Sequence, residues 1–169
     1  MFNSLFPKED YASIKDIDFK AFKDKGYRAV LFDVDNTLVP HGAPATEDSV
    51  AFFKQLHELG FKTCLISNNK EPRVSPFAGA VGTDYIYKAD KPAAKGYVKA
   101  MEKLGTNADN TLFVGDQLFT DIWGANRAGI RSILVKPIHP KEEIQIVLKR
   151  YLEKIVLFFY YRKKNGSKK

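Results

Sequence analysis

Apolar positions along the chain alternate between two spacings. Ala29-Val30-Leu31-Phe32, Phe61–Ile66, Tyr85-Ile86-Tyr87, Thr111-Leu112-Phe113-Val114 and Arg131–Val135 are short runs rich in apolar, β-branched and aromatic residues, and each predicts a buried strand. Between them the apolar positions recur at helical spacing. Val50, Phe53, Leu56 and Leu59 predict a helix that starts at an N-cap on Thr46 and stops at Gly60. Further helices are predicted after Pro72, from Pro92 to Leu104 ahead of Gly105, and from Asp121 to Ala128. A short helix from Asp18, with Gly26 after its end, precedes the first strand, and a long one runs from Pro140 to about Tyr160. Strands alternating with helices through short loops predict an α/β fold, a three-layer Rossmann-like parallel sheet with helices on both faces. The expected organisation is a domain over residues 1–140, followed over 141–169 by an amphipathic helix and a basic tail.

In such folds a ligand sits beyond the carboxyl ends of the strands, and polar residues gather there. Asp33, Asp35 and Thr37 follow the first strand, Ser67-Asn68-Asn69 the second, Lys91 the short third, and Gly115-Asp116 the fourth, with Asp121 close behind. Each has a structural reading on its own: an Asx turn, a loop, a helix cap. Four such clusters in order, all at the ligand-binding edge, point to chemistry. Two carboxylates about 4 Å apart repel by roughly 4 kcal/mol at an effective dielectric near 20. Asp33 and Asp35 therefore need a metal ion, a basic side chain or a shared proton. Asp33, Asp35 and Asp116 are hard oxygen ligands suited to Mg²⁺. Lys91 adds a positive charge, and Ser67 with nearby backbone N–H groups can hold phosphoryl oxygens. One aspartate would attack phosphorus, and the other, two residues away, would move the proton.

Asp33-Val-Asp35-Asn-Thr37, Ser67, Lys91 and Gly115-Asp116 with Asp121 resemble the four motifs of haloacid dehalogenase superfamily phosphatases. Over residues 25–140 the likeness is closer to one subgroup, the YqeG-type (subclass IIIA) phosphatases related to mitochondrial phosphatidylglycerophosphatase. It includes Ser67-Asn68-Asn69, Lys88-Ala89 ahead of Lys91-Pro92, and Gly115-Asp116-Gln117 through Thr120-Asp121 to Asn126-Arg127. The resemblance implies that Asp33 is the nucleophile and a Mg²⁺ ligand, and that Asp35 is the acid/base and binds Mg²⁺ through its backbone carbonyl. Thr37, Ser67, Asn68 and Lys91 would bind the phosphoryl group or substrate. Asp116 would hold Mg²⁺, supported by Asp121. Two positions depart from the subgroup's pattern, Asp90 where a basic residue is expected and His41 where an aromatic is expected. His41, Asn126 and Arg127 have two readings each, substrate contact or plain surface. Many members carry a cap domain in one of two places. Here 31 residues separate Asp35 from Ser67 and 23 separate Ser67 from Lys91, too few for a cap. An open site suits a large substrate, such as a lipid head group or a protein.

Composition changes the picture in one region. The chain has 169 residues and a net charge of +7, and residues 148–169 alone hold eight basic side chains against one acid, Glu153. The preceding part is thus near neutral, and the basic character belongs to the tail. Ile144, Val147, Leu148, Tyr151, Leu152, Ile155, Val156, Phe159 and Tyr160 form a stripe at helical spacing, with Lys149, Arg150 and Lys154 off it. The first half of that stripe is expected to pack on the sheet. The remainder, aromatic residues meeting Arg162-Lys163-Lys164, suits an anionic membrane surface. The single cysteine, Cys64, excludes an internal disulfide and reads as a buried strand residue. There is no uninterrupted apolar segment at the N-terminus and no apolar stretch of membrane-spanning length. The expected location is cytoplasmic, peripheral on the inner membrane face.

The expected function is Mg²⁺-dependent phosphomonoester hydrolysis through an aspartyl-phosphate, converting phosphatidylglycerophosphate to phosphatidylglycerol. An alternative enzyme would act on soluble phosphometabolites or phosphoproteins. A different class, a module binding RNA or a ribosome-assembly partner, would keep the fold with slow turnover. It is disfavoured because a pure binder need not retain both Asp33 and Asp35, and because no RNA-recognition motif accompanies the tail.

Overall fold

A computed structural model describes residues 3–139 and 144–166. The sheet contains β1 (Glu9–Tyr11), β2 (Ala29–Phe32), β3 (Lys62–Ile66), β4 (Asp84–Ile86), β5 (Thr111–Gly115) and β6 (Arg131–Val135). The helices are α1 (Phe19–Asp24), α2 (Glu47–Glu58), α3 (Glu71–Val81), α4 (Lys95–Leu104), α5 (Trp123–Arg127) and α6 (Ile144–Gly166). The strands form one sheet in the order β1–β6–β5–β2–β3–β4, with every pairing parallel. The predicted α/β three-layer architecture is the observed one.

Strand alternation distributes the core. Val30 and Phe32 of β2, with Leu65, Leu112, Val114 and Ile133, face Phe19, Phe22, Phe53, Leu56, Val74 and Phe77 of α1, α2 and α3. Ala29 and Leu31 point the other way, with Cys64, Ile66 and Phe113, against Tyr97, Ala100, Met101 and Leu104 of α4 and Ala125 of α5. β2, β3 and β5 are central strands buried on both faces, which is why they read as continuous apolar runs. Cys64 is fully buried, and burial pushes its thiol up to about 12.

Several boundaries differ from expectation. β1 was not expected: three residues, two of them acidic, carry no apolar pattern. It is held at the sheet edge by Arg131, whose guanidinium binds Glu9 at 2.5 Å. Thr46 caps α2 as predicted, its hydroxyl accepting from the Ser49 amide at 3.2 Å. α4 begins at Lys95, since Pro92 to Ala94 form turns. The predicted helix over Asp121–Ala128 is two pieces, a π-helical turn (Leu118–Ile122) and then α5. The predicted start of the last helix at Pro140 lies outside the described residues, and α6 continues to Gly166 instead of ending near Tyr160.

α6 corrects the sequence reading most. In the first half of the stripe, expected to pack on the sheet, Leu148, Tyr151 and Leu152 are exposed, Tyr151 by 64%, and in the second half Ile155 and Phe159 are exposed as well. Val156 and Tyr160 of the stripe do pack, together with Arg150, Glu153 and Leu157, which lie off it. Val156 and Leu157 join a small apolar cluster with Leu118, Ile122 and Leu134. Tyr160, Tyr161 and Lys164 all bind the Asp10 carboxylate, tying α6 to β1. Among the described residues no inserted domain interrupts the segments from β2 to β3 or from β3 to β4, so the predicted lack of a cap stands.

Candidate active site

β2 ends at Phe32, and Asp33 is the next residue, its amide still bonded to the Val114 carbonyl of β5 at 3.0 Å. Its carboxylate therefore emerges at the carboxyl edge between the two central strands. Asp116 follows the end of β5, and the π-helical turn carries Asp121 back underneath it. The three carboxylates are buried and offer oxygens that lie within 4.8 Å of one another. Both amides that follow β5, those of Asp116 and Gln117, donate to Asp121 Oδ2 at 3.1 and 3.0 Å. Gly115 makes this possible, because a Cβ there would lie 2.6 Å from Asp121 Oδ2. Gly115→Ala is expected to displace Asp121 and to destabilise the fold by about 1–3 kcal/mol, read as a lower denaturant midpoint at unchanged m-value.

Lys91 supplies the positive charge. Its Nζ donates to Asp33 Oδ1 at 2.6 Å and to Asp121 Oδ1 at 2.7 Å. Burial opposes its charge, but the carboxylates of Asp121 and Asp33 outweigh that and raise its pKa above the ordinary lysine value. The Asn68 side chain accepts from the Lys91 amide at 2.7 Å and donates to the Lys91 carbonyl at 3.1 Å. Asn68, expected at the phosphate, thus holds the backbone that carries Lys91. The Thr37 hydroxyl lies 3.2 Å from Asp33 Oδ2 and 3.0 Å from Asp116 Oδ1, bridging two acids. Ser67 is buried at the end of β3, and its Oγ accepts from the Asn69 amide at 3.1 Å.

Asp35 is separated from this cluster by its partners. Its Oδ1 accepts from the Gly42 amide and from the Arg73 guanidinium, both at 2.8 Å, and its Oδ2 accepts from the Asn69 amide group at 2.6 Å. An extended strand would put both carboxylates on one side, but the strand ends at Phe32 and the chain turns. Each aspartate then takes its own cation, Lys91 for Asp33 and Arg73 for Asp35.

Two residues of α6 reach the site from a distance in sequence. The Arg150 guanidinium binds the Asp116 carboxylate, donates to the Asp116 carbonyl at 2.6 Å and to Glu153 at 2.9 Å. Glu153 in turn accepts from the Leu118 amide at 2.7 Å. From the sequence, Arg150 lies off the packing stripe, Glu153 stands out only as the lone acid of the tail, Asn69 carries no role beyond its place at the ligand-binding edge, and Arg73 is not singled out. The available signal was Glu153 itself, the lone acid in a basic helix, three residues after an arginine.

Charge balance decides what else the site can hold. Asp33, Asp116, Asp121 and Glu153 face two cations, Lys91 and Arg150, which leaves the cluster two charges short of neutral. Burial pushes Asp33 up to about 6 and Asp116 well above the usual carboxylate range, with neighbouring acids adding to both. Crowded hard oxygen donors with net negative charge fit one divalent cation. Asp33, Asp116 and Asp121 are the residues that would hold it.

The remaining candidates fall outside the cluster. Asn126 donates to the Ser4 and Phe6 carbonyls at 2.8 and 2.9 Å and accepts from Ser132, so it fastens the N-terminal segment. Arg127 stacks 5.5 Å over the Trp123 ring. His41 and Asp90 are exposed.

Residues 41–129 match the haloacid dehalogenase-like hydrolase family. The chain is 34% identical over 160 residues to the Bacillus subtilis protein "Probable phosphatase YqeG", covering 94% of this chain and 93% of that one. It is 30% identical over 175 residues to an Arabidopsis thaliana protein named "Phosphatidylglycerophosphate phosphatase 1, chloroplastic/mitochondrial". That alignment takes in 90% of this chain but only about half, 48%, of the plant protein's length. Among solved structures, a cobalt-bound deoxy-D-mannose-octulosonate 8-phosphate phosphatase from Haemophilus influenzae has the same fold. Its TM-score is 0.53 at 14% identity, over 66% of this chain and 69% of that one. The chain belongs to the haloacid dehalogenase-like hydrolases. Within that family it is a phosphatase, related in sequence to YqeG.

Proposed function

We propose that the protein is a Mg²⁺-dependent phosphomonoesterase that removes the terminal phosphate of phosphatidylglycerophosphate at an anionic membrane surface. The observation that carries the chemistry is the buried Asp33 carboxylate, held 2.6 Å from Lys91 beside Asp116 and Asp121 at the carboxyl edge of the sheet. Asp33 attacks phosphorus, the P–O ester bond breaks, and an aspartyl-phosphate forms. Asp35 delivers a proton to the departing alkoxide and afterwards takes one from the attacking water. For this, Asp35 must exchange its contacts with Arg73 and Asn69 for the leaving oxygen. Lys91, Ser67 and the Asn69 amide hold the non-bridging phosphoryl oxygens. Bound Mg²⁺ would supply Lewis-acid charge that lets a dianionic phosphate approach a carboxylate. Asp33, Asp35, Thr37, Ser67, Asn68, Lys91, Asp116 and Asp121 remain the assigned site residues.

The substrate reading draws support from the named relatives and from α6. Leu148, Tyr151, Leu152, Ile155, Phe158 and Phe159 are exposed and flanked by Lys149, Lys154 and Arg162, an apolar face edged with positive charge. No helix among the described residues is long and apolar enough to cross a membrane; the contact proposed here is peripheral, through the exposed face of α6, on the cytoplasmic side. The test is phosphate release from phosphatidylglycerophosphate in anionic vesicles, beside soluble phosphomonoesters, with and without chelator. Efficient, chelator-sensitive release from vesicles is expected. A second variant, Leu152→Glu/Ile155→Glu, is expected to lower vesicle turnover about tenfold or more. Turnover of soluble esters alone would sink the lipid assignment while leaving the phosphatase chemistry.

A further inference from the structure

Arg73 stands in the first turn of α3, with a side chain 22% exposed. Its guanidinium makes one hydrogen bond among the described residues, from Nη2 to Asp35 Oδ1 at 2.8 Å, and lies 5.9 Å from the centre of the Phe77 ring. Nε shares an edge of the guanidinium with Nη2, and it is buried without a hydrogen-bond partner. Such an edge matches two oxygens of one anion side by side. Asp35 uses only half of it, because its Oδ2 is taken by the Asn69 side chain at 2.6 Å. Glu71, the acid of the same helix turn, accepts from the Tyr85 hydroxyl at 2.9 Å instead. A partly buried cation with a half-used pair of donors therefore sits directly beside the acid/base residue.

We infer that Arg73 selects the leaving group, receiving an anion that the alcohol carries a few bonds beyond the scissile ester oxygen. The inference rests on the function proposed above and deepens it. Asp35 is the proton donor in that reading, so the ester oxygen must come to its carboxyl. Whatever that oxygen carries then lies among the partners of Asp35. Those are the Gly42 amide, the Asn69 side chain and Arg73, and only Arg73 is charged. When Asp35 turns to the ester oxygen, the guanidinium gives up its acceptor. A partly buried cation without an acceptor is unfavourable, and no other acid among the described residues pairs with it. A phosphodiester on the leaving alcohol fills both donors of the edge and replaces Asp35. Release of the acid/base is thereby tied to the presence of the second anion, which places specificity in the reacting complex. The phosphodiester of phosphatidylglycerophosphate, joined to the monoester through one glycerol, has this chemistry, and so does a soluble ester with the same two groups.

Soluble probes test this apart from membrane attachment. Glycerophosphoglycerophosphate carries both phosphates without acyl chains, and glycerol phosphate carries only the monoester. The native protein is expected to prefer the first by about tenfold or more in kcat/KM. Arg73→Gln is expected to remove most of that preference, and Arg73→Lys, which keeps the charge without the paired donors, to leave an intermediate one. Glycerophosphoglycerol, which has the diester and no monoester, should inhibit the native protein competitively and Arg73→Gln about tenfold more weakly. It should also protect Arg73 of the native protein from phenylglyoxal, read by peptide mass spectrometry, a measurement that needs no variant to fold. An equal loss on both substrates in Arg73→Gln, with unchanged inhibition, would overturn the inference and leave Arg73 a positioning residue for Asp35. Absence of the native preference, or of protection, would overturn it too, and turnover of phosphatidylglycerophosphate in vesicles would then leave the lipid reading intact. Faster turnover of the soluble two-phosphate ester than of the lipid would keep the role of Arg73 and remove the lipid. Hydrolysis of glycerol phosphate with neither two-phosphate compound turned over would overturn both.

Discussion

The Asp33→Asn variant is expected to release phosphate at least about a thousandfold more slowly than the native protein, yet to unfold at a higher temperature when divalent cations are chelated. The first effect follows from losing the oxygen nucleophile at unchanged size and shape. The second follows from where the carboxylate sits. Asp33 is 7% exposed. Burial raises it to about 6 from an ordinary 3.8, with Lys91 countering only part of that cost. A carboxyl whose folded pKa lies above its unfolded value binds its proton more tightly when folded. Stability then falls as pH rises through the window from about 4 to about 6, and stays low above it. The ionised group costs about 3 kcal/mol at neutral pH by that shift. Asparagine removes the charge and still offers Lys91 an acceptor. Thermal unfolding of chelated protein from pH 4 to pH 7 should show a shallower decline for the variant than for the native chain. Some decline should persist, because Asp116 is raised in the same direction. Retained turnover would sink the nucleophile assignment, and identical pH slopes would sink the electrostatic account.

Lys91→Met is expected to destabilise the metal-free protein by about 3–5 kcal/mol and to abolish turnover. Lys91 Nζ is the cation shared by Asp33 and Asp121, which are otherwise buried against Asp116. Methionine fills similar volume, so the loss reports charge and not a cavity. The loop itself should keep its place, because Asn68 binds the Lys91 backbone through both its oxygen and its nitrogen. A divalent cation should recover part of the lost stability by placing positive charge on the same carboxylates. Denaturant midpoints with chelator and with Mg²⁺, at constant m-value, measure both effects. A loss below about 1 kcal/mol would mean that these acids are not ionised in the fold.

The two variants pull stability in opposite directions, and the reason lies in net charge. The cluster is short of positive charge, so removing an acid relieves it and removing a base worsens it. α6 belongs to the same balance. Arg150 is 17% exposed at its side chain and faces a fully buried Asp116. A buried carboxylate left without its partner costs about 3–5 kcal/mol, and Arg150 is the partner of both Asp116 and Glu153. The helix therefore turns Arg150 and Glu153 inward and leaves Leu148, Tyr151 and Leu152 outside, against the rule that the apolar stripe meets the core.

Local pattern alone was sufficient for much of this protein. Central strands announce themselves because both faces are buried, as in Ala29–Phe32 and Thr111–Gly115, and helices such as α2 because one face is. Asp33, Ser67, Lys91 and Asp116 were legible because a parallel sheet gathers its strand ends at one edge, whatever the sequence distance between them. The tertiary structure alone decided the pairings. Asp35 meets Arg73 38 residues away, and Asp116 meets Arg150 34 residues away. β1 exists only through β6, and the π-helical turn only through the amides that Asp121 must reach. Periodicity reports how one element divides itself between core and solvent. It carries no information about which distant charge will satisfy a buried one, and that choice set the orientation of α6.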